Sequence, residues 1–163
     1  MPNIAIPLPP FVEALLADPT TQKALATVGP DGSPHITVPE TLLLADDGTL
    51  HYLEPYESSD TNRNLVRSIW FDGQVAITLK GTNGRDLHIR GTPVKVHITG
   101  PLFQKHYQAI RARGDDGDLA GVWVIRPDDV TEESPQALRI RERARHPDFI
   151  HLDRLAAIPG TAS

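Results

Sequence analysis

The chain has no cysteine and only one methionine among its 163 residues. Without cysteine there are no disulfides, no thiolate metal sites and no thiol nucleophile, and the reducing cytoplasm is the expected compartment. Basic residues are also short: 16 Lys and Arg stand against 21 Asp and Glu, for a net charge of −5. No broad electropositive field is left to neutralise a phosphate backbone, so nucleic acid is not an expected partner. No apolar run reaches the ~18 residues needed to cross a bilayer. The proline-punctuated start, Met1 to Pro10, carries neither a basic segment nor a signal-length apolar stretch. A soluble, non-exported protein without a membrane partner is expected.

Several motifs are missing as well. There is no Gly-x-Gly-x-x-Gly, Walker loop or Gly-x-Ser-x-Gly, which disfavours a nucleoside-triphosphate enzyme or an α/β hydrolase. The seven histidines, His35, His51, His88, His97, His106, His146 and His151, form no His-Glu-x-x-His or His-x-His pair, so no metal site is expected. What is present is an apolar fraction of 39%, enough for the core of one domain at this length.

The periodicities are mostly those of strands. Phe11, Val12, Leu15 and Leu16 predict a short helix that stops at Asp18-Pro19. Short β-type segments follow at Ala24–Val28, His35–Leu44 and Thr49–Leu53, divided by the turns Gly29-Pro-Asp-Gly32 and Asp46-Asp-Gly48. Ser59 or Asp60 can cap a helix bearing Leu65, Val66, Ile69 and Trp70, with Gly73 just past its end. Val75, Ile77 and Leu79 alternate as in a half-buried strand. Asp86–Ile98 reads as a longer strand whose apolar phase slips by one residue across Gly91-Thr-Pro93, which predicts a bulge or barrel corner. Gly100-Pro101 opens a third helix that ends at Gly114, Leu119–Ile125 reads as a final buried strand, and Gln136–His146 as a mostly solvated helix before a tail. About six strands interrupted by inserted helices suggest a small barrel rather than a parallel βαβ sheet.

Three stretches carry a family resemblance. They are Ala24-Leu-Ala-Thr-Val-Gly-Pro-Asp-Gly-Ser-Pro-His-Ile-Thr-Val-Pro39, Ser58-Ser-Asp-Thr-Asn-Arg-Asn-Leu65 with Gly73-Gln-Val-Ala-Ile-Thr78, and His88-Ile-Arg-Gly-Thr-Pro-Val94. In this order they resemble the FMN-binding split-barrel superfamily, which includes pyridoxamine-phosphate oxidase and small bacterial FMN-binding proteins. The resemblance implies a mainly β fold: a six-stranded antiparallel split β-barrel with short helices, over residues 1–130, followed by a helical extension and tail over 131–163. It implies FMN, or a deazaflavin in the same cleft, shared by a homodimer that acts on a small-molecule redox substrate.

The same resemblance implies the site. Val38, Pro39, Glu40 and Thr41 would meet the edge of the isoalloxazine ring, with Tyr52 and Leu53 flanking it. The phosphate would lie at the start of the helix near Asp60, with Ser58, Ser59, Thr61 and Asn64 as neutral donors. Trp123 would stand near the ring. Trp70, Trp123 and the apolar last strand are read as surface that a second subunit covers. No catalytic side chain is assigned, because a flavin carries its own electron chemistry; Glu40 is read as a strand-end carboxylate. One departure stands out: many relatives have Arg or Lys at the position of Asp60 and a further basic residue at that of Asn62. An aspartate beside a phosphate is repulsive, which motivates a second reading, a dimeric split-barrel binding module that has lost flavin.

Overall fold

Turn residues and proline divide this chain into short ladders, and the ladders close on themselves. The computed structural model describes residues 4–114 and 116–147. Within them the order is α1 (Val12–Ala17), β1 (Gln22–Val28), β2 (Pro34–Thr37), β3 (Leu42–Leu44), β4 (Leu50–Glu54), α2 (Asp60–Trp70), β5 (Val75–Lys80), β6 (Asp86–His97), α3 (Pro101–Ala112), β7 (Gly121–Glu132) and α4 (Pro135–Arg145). Gly32 and Gly48 take the positive φ that the two early turns require, at 82° and 81°.

The seven strands form one antiparallel sheet in the order β2-β1-β5-β6-β7-β4-β3. Its two edges, β2 and β3, are joined by residues 38–41 alone. Laid flat, seven strands would put the edges ~29 Å apart at ~4.8 Å per spacing. The five Cα steps from Thr37 to Leu42 reach at most ~18 Å. The sheet is therefore curled until its edges approach, and it forms a split barrel.

This geometry corrects one expectation. His35–Leu44 is not a single strand: it is broken at Val38-Pro-Glu-Thr41, its first part pairing with β1 and its second with β4. Pro39 has no N–H to give to a ladder, so the chain leaves one neighbour there and joins the other. Seven strands replace the expected six for this reason. The last strand is also longer than Leu119–Ile125, because β7 runs to Glu132 and pairs there with Leu87. The bulge falls where the phase slip placed it, with register shifts at Arg90/Gly91 and Pro93/Lys95.

Period-two alternation fills the barrel with Leu25, Ile77, Leu79, Ile89, Tyr52, Trp123 and Ile125, and α1 adds Val12, Leu15 and Leu16. A smaller cluster of Leu53, Leu119 and Val122 lies under Leu102, Phe103, Tyr107 and Ile110 of α3. No described helix is long and apolar enough to cross a membrane.

Candidate functional site

The break at residues 38–41 makes the site. Strand β4 runs beside it, tied by a hydrogen bond from the Leu53 N–H to the Thr41 carbonyl at 3.2 Å. Because side chains alternate along β4, Tyr52 faces into the barrel beside Trp123 while Leu53 faces out beside Val122. On that outer side Glu40, Thr41, Leu53, Tyr56, Ile110 and Arg113 line a cleft of about 380 Å³. It adjoins a second cleft of about 750 Å³ lined by Tyr56, Glu57, Ser58, Phe103 and Ala120; the two share Pro55, Tyr56, Asp118 and Leu119. Both volumes suit a small ligand or cofactor. A cavity of about 690 Å³ elsewhere, between Gly84 and Gln136, is lined by none of the candidate residues.

The structure thus brings together Glu40, Thr41, Leu53 and Ser58. Val38 is exposed beside them and Pro39 is buried at the break. Tyr52 does not reach the clefts: its hydroxyl donates to Glu54 Oε2 at 3.0 Å, and burial, with the Glu54 carboxylate, holds its pKa far above the usual phenol value. Trp123 is fully buried within this one chain and donates from Nε1 to Asn62 Oδ1 at 2.9 Å. It is therefore not surface left for a second subunit, which corrects that expectation. Trp70, by contrast, is 77% exposed.

At the start of α2 the cap is Ser59, whose Oγ accepts the Asn62 N–H at 2.9 Å. Asp60 is the first residue of the helix and forms an ion pair with Arg63. The hydrogen bond from Arg63, reinforced by its charge, holds the Asp60 carboxyl below its usual range. Thr61 and Asn64 are buried: Thr61 Oγ1 lies 3.1 Å from His35 Nε2, and Asn64 donates to Thr27 Oγ1 at 3.0 Å. Ser58 remains exposed. The N–H groups of Asp60 and Thr61, in the first helical turn, have no intrahelical acceptor.

Sequence reasoning missed Glu54, Tyr56, Arg113, Asp118 and Leu119. Glu54 had a signal, since it shares the inward phase of Leu50 and Tyr52 on β4. Tyr56 comes in on the loop that follows β4, whereas Arg113, Asp118 and Leu119 meet the site only through the placement of α3 and the entry to β7.

No protein-family model matches the sequence, and no curated protein matches it. Solved structures do. HupZ of Group A Streptococcus superposes with a TM-score of 0.65 at 19% identity, covering 78% of this chain and 95% of that one. A protein of Lactobacillus delbrueckii assigned as a pyridoxamine 5'-phosphate oxidase gives 0.60 at 20% identity, over 77% and 93%. The fold is a split barrel. An F420 reductase shares it with a TM-score of 0.56 at 21% identity, over 76% and 98%. An FMN-binding protein of Syntrophomonas wolfei shares it at 0.53 and 17% identity, over 69% and 77%.

The split barrel carries a titrating contact at its cleft cover. His106 of α3 meets His51 of β4 edge to face, with ring centroids 6.3 Å apart. Burial lowers the pKa of both rings; His97 and Lys105 lower that of His51 further, against Asp47, and His51 and Lys105 lower that of His106. Both folded values thus lie below the ordinary 6.5. A released ring takes up a proton first, so docking of α3 weakens as pH falls below 6.5 and is unaffected above it. Hydrogen-exchange protection of residues 101–112, corrected for intrinsic rates, should hold above about pH 6.5 and fall as pH drops below it. His106→Gln should flatten that profile; an unchanged slope in this variant would show that the pair does not govern docking.

Proposed function

We propose that this split barrel is a flavin-dependent oxidoreductase that binds FMN at a homodimer interface and acts on a small-molecule redox substrate. The observation that carries the reading is the seam cleft, which gathers Glu40, Thr41, Leu53 and Ser58 from separate segments onto one concave surface. The fold is shared with proteins named for FMN binding and for pyridoxamine 5'-phosphate oxidation, which supports it.

The residues fit a flavin ring well. Leu53, Leu119 and Tyr56 supply apolar and aromatic walls, and the backbone at residues 40–41 supplies polar groups. For the phosphate the donors are the Ser58 hydroxyl and the N–H groups that open α2, with Arg63 once it leaves Asp60. Bound there, a flavin supplies the hydride and electron chemistry; the chain orients it and excludes water. A deazaflavin is the second reading, favoured by the shared fold of the F420 reductase.

A second copy of the chain is the proposed partner. Trp70, Phe71 and Val38 are 77%, 70% and 74% exposed, large apolar side chains that a second copy would cover. Light scattering with in-line absorbance should give a two-chain particle that carries visible flavin bands after incubation with FMN. Uptake of F420 but not of FMN in a parallel incubation would favour the second reading. A colourless monomer overturns both the cofactor and the shared site.

A further inference from the structure

Glu54 is the only charged side chain buried among the described residues, at 1% exposure, and the proposed chemistry does not use it. Its carboxylate accepts three hydrogen bonds. Oε2 takes the Tyr52 hydroxyl at 3.0 Å and the Ser59 hydroxyl at 2.8 Å, while Oε1 takes the Tyr56 N–H at 2.9 Å. Its own carbonyl accepts the Ala120 N–H at 2.8 Å. One residue thus ties together the barrel interior, the 55–59 loop that walls both clefts, and the entry to β7.

The Ser59 hydroxyl that donates to Glu54 also receives the Asn62 N–H. Glu54 therefore stands one hydroxyl away from the amino end of α2, where a helix dipole favours an anion. An anion is already resident there. Exposed Glu57 adds the same sign nearby, whereas the charge of Asp60 is already paired with Arg63. A phosphate brought to this end meets a negative charge that burial shields from salt.

We propose that Glu54 is a specificity-determining residue of the cleft: it fixes the loop wall and biases the site toward the ring of a flavin and against its phosphate. This rests on the flavin reading above. It means that the chain holds the cofactor by its ring system and gains little from the phosphate that distinguishes FMN from riboflavin.

Titration of the purified protein with FMN and with riboflavin tests it. The wild-type dissociation constants should agree within roughly threefold. Glu54→Gln keeps the shape and can satisfy the same neighbours, since the two hydroxyls can turn to accept from the amide. In that variant FMN should bind at least roughly tenfold tighter while riboflavin changes little. A purely structural role would move both ligands together. A wild-type preference for FMN of roughly a hundredfold, or an unchanged ratio in Glu54→Gln, overturns the proposal while leaving the flavin reading intact. If Glu54→Gln does not fold, the wild-type ratio alone decides. Failure to bind either flavin sinks the flavin reading, and this inference with it.

Discussion

Replacing Trp123 by alanine should cost about 3–5 kcal/mol of folding stability, the range for a large aromatic removed from a closed core. The side chain is fully buried opposite Tyr52, in the same apolar core as Leu25, Ile77 and Ile89, so no solvent can fill the space without wetting that core. The loss extends beyond the cavity. The indole N–H holds Asn62 Oδ1, and the Asn62 amide in turn donates to the Glu57 carbonyl at 2.9 Å. Trp123 therefore tethers both the first turn of α2 and the loop before it to the barrel core. At about 2–4 °C per kcal/mol for a chain of this size, the melting temperature should drop by roughly 6–20 °C. Trp123→Phe keeps most of the ring but strands the Asn62 acceptor, and should cost about 1–3 kcal/mol. An alanine variant that melts within a degree or two of the wild type would show that the indole is not a core group.

A similar loss is expected at Gly91, for the opposite reason. A Cβ there would stand 2.7 Å from Ile125 Cγ2 and 2.8 Å from the Arg126 carbonyl oxygen. Real carbon atoms do not approach so closely, and the second obstacle is backbone held in the β6–β7 ladder. The residue also sits at a register shift, where the strand bends and has no slack to move away. Gly91→Ala should therefore destabilise by about 1–3 kcal/mol, and Gly91→Val by more, as overpacking does. Urea unfolding would measure both. Equal stability of Gly91→Ala and wild type would mean that the two strands separate more easily at the bulge than their pairing implies.

Much of this was legible in the sequence where local chemistry decides. The alternation of Val75, Ile77 and Leu79 gave β5, the Ser59–Asp60 pair located the start of α2, and the phase slip at Gly91 located the bulge. Long-range pairing hid the rest. Residues 35–44 have the composition of one strand, and only the competition between β1 and β4 for their backbone splits them at Pro39. Tyr52 and Leu53 look interchangeable as ring neighbours until the pleat sends them to opposite faces. Ser59, not Asp60, caps the helix: its hydroxyl accepts the Asn62 N–H and donates to Glu54, a partner outside the helix. Trp123 reads equally as surface or core in a short apolar strand, and its partner Asn62 is remote in sequence.

The seam at residues 38–41 also bears on how the chain reaches its final state. The hairpins β1–β2, β3–β4 and β5–β6 each join neighbours in sequence and lose little loop entropy on forming. The β4–β7 ladder, which pairs Leu50 with Ile125 and Glu54 with Gly121, closes a far longer loop and is kinetically the slow contact. The cleft walls stand on both sides of that last ladder, with Leu53 on one and Leu119 leading into the other. Strand signal should therefore return early in refolding, whereas the capacity to capture a ligand should return only when the circle of strands is complete.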